Sequence, residues 1–192
     1  IEAMSDVDLL GLIVGDKTAA RLLGDAGSIS ALLNQPIAPC DPQPRLKMRL
    51  GAAKELVRRS LLERLSQGNA LNSPASVREY LRMTLAARDY EVFMVLFLDA
   101  QNRVIKSEEM FRGTLTQTSV YPREVVKRSL QYNAGAAIFA HNHPSGVAEP
   151  SHADETLTQC LKQALALVDV RVLDHFIVAG AGVISFAERG LL

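Results

Sequence analysis

The stretch FAHNHPSGVAEPSHAD, Phe139 to Asp154, constrains this chain more than any other. It holds three of the four histidines and ends on a carboxylate. Upstream, GAAIFAHNH is a small-residue apolar run of strand length; downstream, HADETLTQCLKQALALVD has the apolar spacing of an amphipathic helix. His141 and His143 are two residues apart, so at a strand end both side chains point to the same side. Asp154 follows after ten residues that include Pro144, Gly146 and Pro150, a loop able to bring the start of the next helix back to the strand end. Two imidazoles and one carboxylate leave a fourth position open. That is the pattern of a catalytic zinc site rather than a closed structural one.

The neighbouring polar residues divide by position. Ser151 is a good N-cap for the helix, with Asp154 three residues on as in a capping box; its hydroxyl also falls beside the expected metal, where it can donate to a developing oxyanion. His152 adjoins the cap serine and is expected to face solvent. His175, in LDHFIV, reads as a core residue or as support for a ligand, hydrogen-bonded near Asp174. The literal H-N-H carries no nuclease meaning, because that nuclease motif draws its residues from separate places in a ββα unit. A zinc deaminase needs H-x-E and P-C-x-x-C, and neither is present.

Around this stretch the chain changes character once. Residues 1–66 read as helices only: SDVDLLGLIVGD, KTAARLLGDAG, SISALLN and the long PRLKMRLGAAKELVRRSLLERL, with Ser5 as an N-cap and Gly24 and Gly27 as stops. In the long helix Leu46, Leu50, Ala53, Val57, Leu61 and Leu65 form the apolar stripe, and Lys47, Arg49, Lys54, Arg58 and Arg59 a solvated basic face. The small, polar segment 67–76, with Gly68 and Pro74, reads as a linker. Residues 77–192 then give a helix, a hairpin of EVFMVLFLDA and RVIKSEEMF turning at QN, a helix from YPREVVKRSLQYN with Val125, Val126 and Leu130 inward, the strand ending at His143, its following helix, and two last strands, RVLDHFIVAG and GVISFAE. The expected class is α/β (α+β): a mixed sheet flanked by helices, preceded by a small all-helical domain.

Composition narrows the partners. Lys and Arg total 21, as do Asp and Glu, so no global field draws the chain to nucleic acid or to a membrane. Cys40 and Cys160 match neither a disulfide framework nor a metal knuckle, which favours a reducing, cytoplasmic setting. No apolar run reaches the roughly 18 residues of a membrane span.

The run H-x-H-P, six residues, S-x-x-D, carried by His141, His143, Pro144, Ser151 and Asp154, resembles the JAMM (MPN/JAB) metalloprotease motif. The wider text, LFLDAQNRVI, FRGTL, VYPREV, AHNHPSG, DET and LDHFIV, resembles the RadC family over roughly residues 75–192. The resemblance implies a cytidine deaminase-like MPN/JAB fold and a zinc-dependent peptidase or isopeptidase acting on a peptide or protein substrate. It implies Zn2+ held by His141, His143 and Asp154, a zinc-activated water, Ser151 as oxyanion helper and Glu91 as general base. The residues alone do not choose Glu91 over Glu108 or Glu109. The family's name also ties it to DNA repair, so the alternative is a DNA-associated accessory protein using the domain for binding or nuclease activity, with a helix-hairpin-helix-like N-terminal region. Here that hairpin lacks the family's glycines and reads PCDPQPRLKMRLGAAKEL, which weakens backbone contact with phosphate.

Overall fold

The computed structural model describes residues 2–34, 44–113 and 120–192. Cys40 and most of the proline-rich stretch PCDPQP, where a helix-hairpin-helix-like region was expected, lie outside the described residues. The chain divides into two compact units, Ile1–Ser60 and Leu61–Leu192.

The first unit is helical: α1 (Asp6–Val14), α2 (Asp16–Ala26), α3 (Ile29–Asn34) and most of α4 (Pro44–Gln67). Ser5 caps α1 by accepting from the Asp8 N–H. The expected stop at Gly24 does not occur. Gly24 lies inside α2, and Gly27 ends the helix at φ 79°, a left-handed conformation that favours glycine. The expected stripe on α4 also needs correction: Leu46, Leu61 and Leu65 are buried, whereas Val57 is 43% exposed. No described helix is long and apolar enough to cross a membrane.

In the second unit a 3-10 turn (Ala70–Asn72) and α5 (Pro74–Leu85) follow the end of α4. Pro74 stands in the first turn of α5, where its missing N–H costs nothing. Next come β1 (Val92–Leu98), β2 (Val104–Arg112), α6 (Pro122–Gln131), β3 (Ala136–Asn142), α7 (His152–Ala166), β4 (Arg171–Ala179) and β5 (Gly182–Ser185). They form one mixed sheet of order β2-β1-β3-β4-β5, in which only β3 and β4 run parallel.

Strand alternation explains both the continuous apolar run of β1 and the two-sided core. Val92, Met94, Leu96 and Leu98 face the α5 side with Val77, Leu81, Ile138 and Val178. Phe93, Val95 and Phe97 face the other side with Val125, Phe139, Leu161 and Leu165 of α6, β3 and α7. On α6 the inward positions are Val125 and Ser129, and Leu130 is 59% exposed, so the expected inward Leu130 is displaced by a serine. Ser129 tolerates burial because its hydroxyl donates to the Val125 carbonyl at 2.9 Å.

The hairpin turn is built by Asp99, whose carboxylate accepts from the Gln101 and Arg103 N–H groups, and by Asn102 at φ 59°. Because β3 and β4 are parallel, α7 must cross over between them. The start of α7 therefore returns to the C-terminal end of β3, the end where open α/β sheets place their sites.

Candidate metal centre

His141 is the penultimate residue of β3 and His143 follows the strand by one residue, its N–H donating to the Val178 carbonyl at 2.9 Å. Both keep the parity of Phe139 and so lie on the α7 side of the sheet. Asp154 occupies the third position of α7, where Ser151 forms a reciprocal capping box. The cap holds the carboxylate firmly: Asp154 Oδ2 accepts from the Ser151 N–H at 2.8 Å and its hydroxyl at 2.7 Å. Oδ1 points at His141 Nε2, 3.2 Å away.

The three side chains converge. His141 Nε2 and His143 Nε2 are 2.9 Å apart, and His143 Nε2 is 3.6 Å from Asp154 Oδ2. One ligand atom from each residue lies within 4.8 Å of the others. Ligands about 2.0–2.1 Å from a tetrahedral zinc ion stand roughly 3.3 Å from one another, and these separations bracket that value.

Charge supports the same assignment. The carbonyl of Val147 can only accept, so His143 Nδ1, 2.9 Å away, carries the proton and leaves its Nε2 lone pair turned to the cluster. Burial raises the Asp154 pKa, but the hydrogen bonds that His141 and His143 donate when their rings are protonated, together with that from Ser151, outweigh it and hold the carboxyl well below its usual range. The bond to Asp154 raises the His143 pKa against burial, with further help from the Val147 carbonyl and the negative charges of Asp154 and Glu91. Nitrogen lone pairs and an anion packed this closely could hold a metal ion between them. The residues fit zinc.

His152 is exposed and belongs to neither the cluster nor its supports. His175 is fully buried, and its ring meets His141 rather than Asp174; Asp174 instead accepts the backbone N–H of His175 at 2.7 Å. The support expected near Asp174 is thus backbone geometry.

The three upstream glutamates separate by their partners. Glu108 pairs with Arg128 at 3.2 Å and accepts from the Tyr132 hydroxyl at 2.8 Å; Glu109 pairs with Arg88. Glu91 precedes β1, is half-buried, and is felt electrostatically at His143. Phe93 pairs with His141 across β1 and β3, and Glu91 stands two residues before Phe93, at the same end of the sheet as the histidines.

Residues 71–191 match the profile of the RadC-like JAB domain. The chain belongs to the RadC-like JAB domain family. It is similar to a UPF0758 protein of Methylibium petroleiphilum, 54% identical over 99% of this chain and 91% of the relative. A UPF0758 protein of Leptothrix cholodnii is 54% identical over the same shares, and one of Nitrosospira multiformis is 64% identical over 75% of this chain and 64% of that protein. The mixed sheet, flanking helices and crossover α7 agree with a JAB fold.

One residue of this JAB domain escaped the sequence reading. Asn142 has the opposite parity to the two histidines and is 2% exposed. Its carboxamide accepts from the Val92 N–H at 2.8 Å and donates to the Tyr90 carbonyl at 2.9 Å, bracketing Glu91. An asparagine standing between His141 and His143 was its only signal in the sequence.

Proposed function

We propose that this JAB domain is a zinc-dependent peptidase or isopeptidase that hydrolyses an amide bond in a peptide or protein substrate. The observation that carries this reading is the convergence of His141, His143 and Asp154, an open three-ligand set, at the strand end of a RadC-like JAB domain. Zinc held by these residues supplies a Lewis acid that acidifies a water and polarises the scissile carbonyl.

The chain's own groups supply proton transfer and orientation. Glu91 is the general base: half-buried beside His143 and bonded to no arginine among the described residues, its carboxylate is free to take a proton from the attacking water and deliver it to the leaving amine. Ser151 is exposed, and its hydroxyl donates to Asp154 Oδ2. Rotation about its side-chain bond turns that donor toward a carbonyl oxygen gaining negative charge, while the Ser151 N–H continues to hold Asp154. His143 and Asp154 stay aimed because Val147 and the capping box fix them before substrate arrives.

Zinc analysis tests the reading together with hydrolysis of a panel of peptide and isopeptide-linked substrates. The purified protein should bind about one zinc per chain, lose it in the His141→Ala, His143→Ala double variant, and cleave at least one substrate in a zinc-dependent way. Absence of zinc uptake by the wild type overturns the proposal.

A further inference from the structure

A chain of buried hydrogen bonds runs from the metal cluster back to the metal cluster. His141 Nδ1 lies 2.9 Å from His175 Nε2; His175 Nδ1 lies 2.6 Å from Thr158 Oγ1; and Thr158 Oγ1 lies 2.6 Å from the backbone carbonyl of Asp154. His175 and Thr158 are fully buried, His141 is 2% exposed, and the ring of His175 is packed by Phe93, Phe139 and Phe186 at centroid distances of 5.7, 5.8 and 4.8 Å. None of these atoms has water to turn to, so each must be satisfied by its neighbour.

Only one order of protons satisfies the chain with a neutral His175, and it is set at the Asp154 end. The carbonyl has no proton, so the Thr158 hydroxyl donates to it. With its only proton spent, Thr158 accepts, and His175 Nδ1 must be the N–H that donates. A neutral imidazole carries one N–H, and burial among three aromatic rings disfavours the cation. His175 Nε2 is therefore a bare lone pair, and His141 Nδ1 must donate to it. What is left on His141 is an Nε2 lone pair, on the atom that faces Asp154 and His143.

We infer that Thr158 and His175 are positioning residues that fix the tautomer and ring angle of His141, so that its Nε2 is ready for a metal ion before one arrives. This rests on the zinc reading above. The single hydroxyl of Thr158, which touches no metal ligand side chain, thereby orders a ligand two hydrogen bonds away, and it does so from the backbone of another ligand, Asp154. Valine at position 158 keeps the shape and removes the donor. Serine keeps the donor.

The test uses the full chain in metal-free form at alkaline pH, with 15N chemical shifts of the imidazoles as the tautomer signature and zinc affinity from competition with a chelator. In the wild type both His141 and His175 should carry their proton on Nδ1. Thr158→Val should abolish that order and weaken zinc binding about 10- to 100-fold, the usual cost of losing a group that orients a ligand; Thr158→Ser should restore both. A wild type that takes up no zinc overturns the zinc site and this role with it. A wild type that binds zinc but carries the His141 proton on Nε2, or a folded Thr158→Val that binds zinc as tightly as wild type, overturns the relay alone. Should Thr158→Val fail to fold, the wild-type shifts and the Thr158→Ser affinity decide.

Discussion

The carboxamide of Asn142 takes the place of a peptide group beside Val92: it accepts the Val92 N–H at 2.8 Å and donates to the Tyr90 carbonyl at 2.9 Å. β3 has stopped pairing with β1 through its backbone at His141, yet the ladder continues through this side chain. The backbone on both sides of Glu91 is thereby held against the strand that carries the histidines. Asn142→Ala leaves a buried donor and acceptor unpaired, so it should cost about 2 kcal/mol in chemical denaturation. Zinc affinity should stay near wild type and turnover should fall; turnover unchanged in a folded variant would show that Glu91 does not depend on this clamp.

Glu91→Gln should retain zinc and lose roughly 10²–10⁴-fold in turnover, the range general acid–base catalysis supplies. Glu108 and Glu109 are committed to Arg128, Tyr132 and Arg88. Their glutamine variants should keep turnover within a few fold. Assaying the three variants on one cleavable substrate distinguishes the assignments, and a large loss in Glu108→Gln with a small one in Glu91→Gln would reverse them.

Ser151 combines two tasks that substitution can separate. Ser151→Ala should lower stability by about 1 kcal/mol through the lost helix cap, and turnover with it. Asparagine also caps helices but has no hydroxyl. Ser151→Asn should therefore recover the melting temperature and not the rate. Recovery of both would reduce Ser151 to a cap.

On the proposed zinc reading, protons and metal would compete for the same cluster. The His143 pKa is raised above 6.5 in the metal-free fold, first by the bond to Asp154. The protonated ring therefore stabilises the fold fully below the unfolded value, and that stabilisation disappears as pH rises through the higher folded value. Metal-free protein should lose stability across this window while zinc affinity increases across it. Asp154 has the opposite sign: its depressed pKa contributes above the ordinary carboxylate range and is lost only as the pH falls toward the folded value. Denaturant unfolding in chelator, repeated for His143→Ala, should show the alkaline decline in the wild type alone.

Much of the centre was legible in the residues because its signals are local. The i, i+2 spacing of His141 and His143 at a strand end puts two imidazoles on one side, and a serine three residues before an aspartate reads as a capping box wherever a helix begins. Stop signals were weaker. Gly24 and Gly27 are the same residue type, and only the left-handed φ at Gly27 separates the stop from a helical glycine. On α6 Leu130 is exposed and Ser129 buried, because what packs on a helix is a property of its neighbours.

The sequence by itself determined the element types, the α/β class and which three side chains could hold a metal ion, since each depends on spacing along a few residues whose periodicity is fixed by backbone geometry. Tertiary structure alone decided the rest. It paired Glu108 and Glu109 with cations, left Glu91 where its charge acts on His143, turned Asn142 into a strand extension, and joined His141 to Thr158 through His175. The physical reason is strand pairing: partners 50 residues apart in Val92 and Asn142, or 34 apart in His141 and His175, become neighbours through sheet register, and register is settled by the whole core at once.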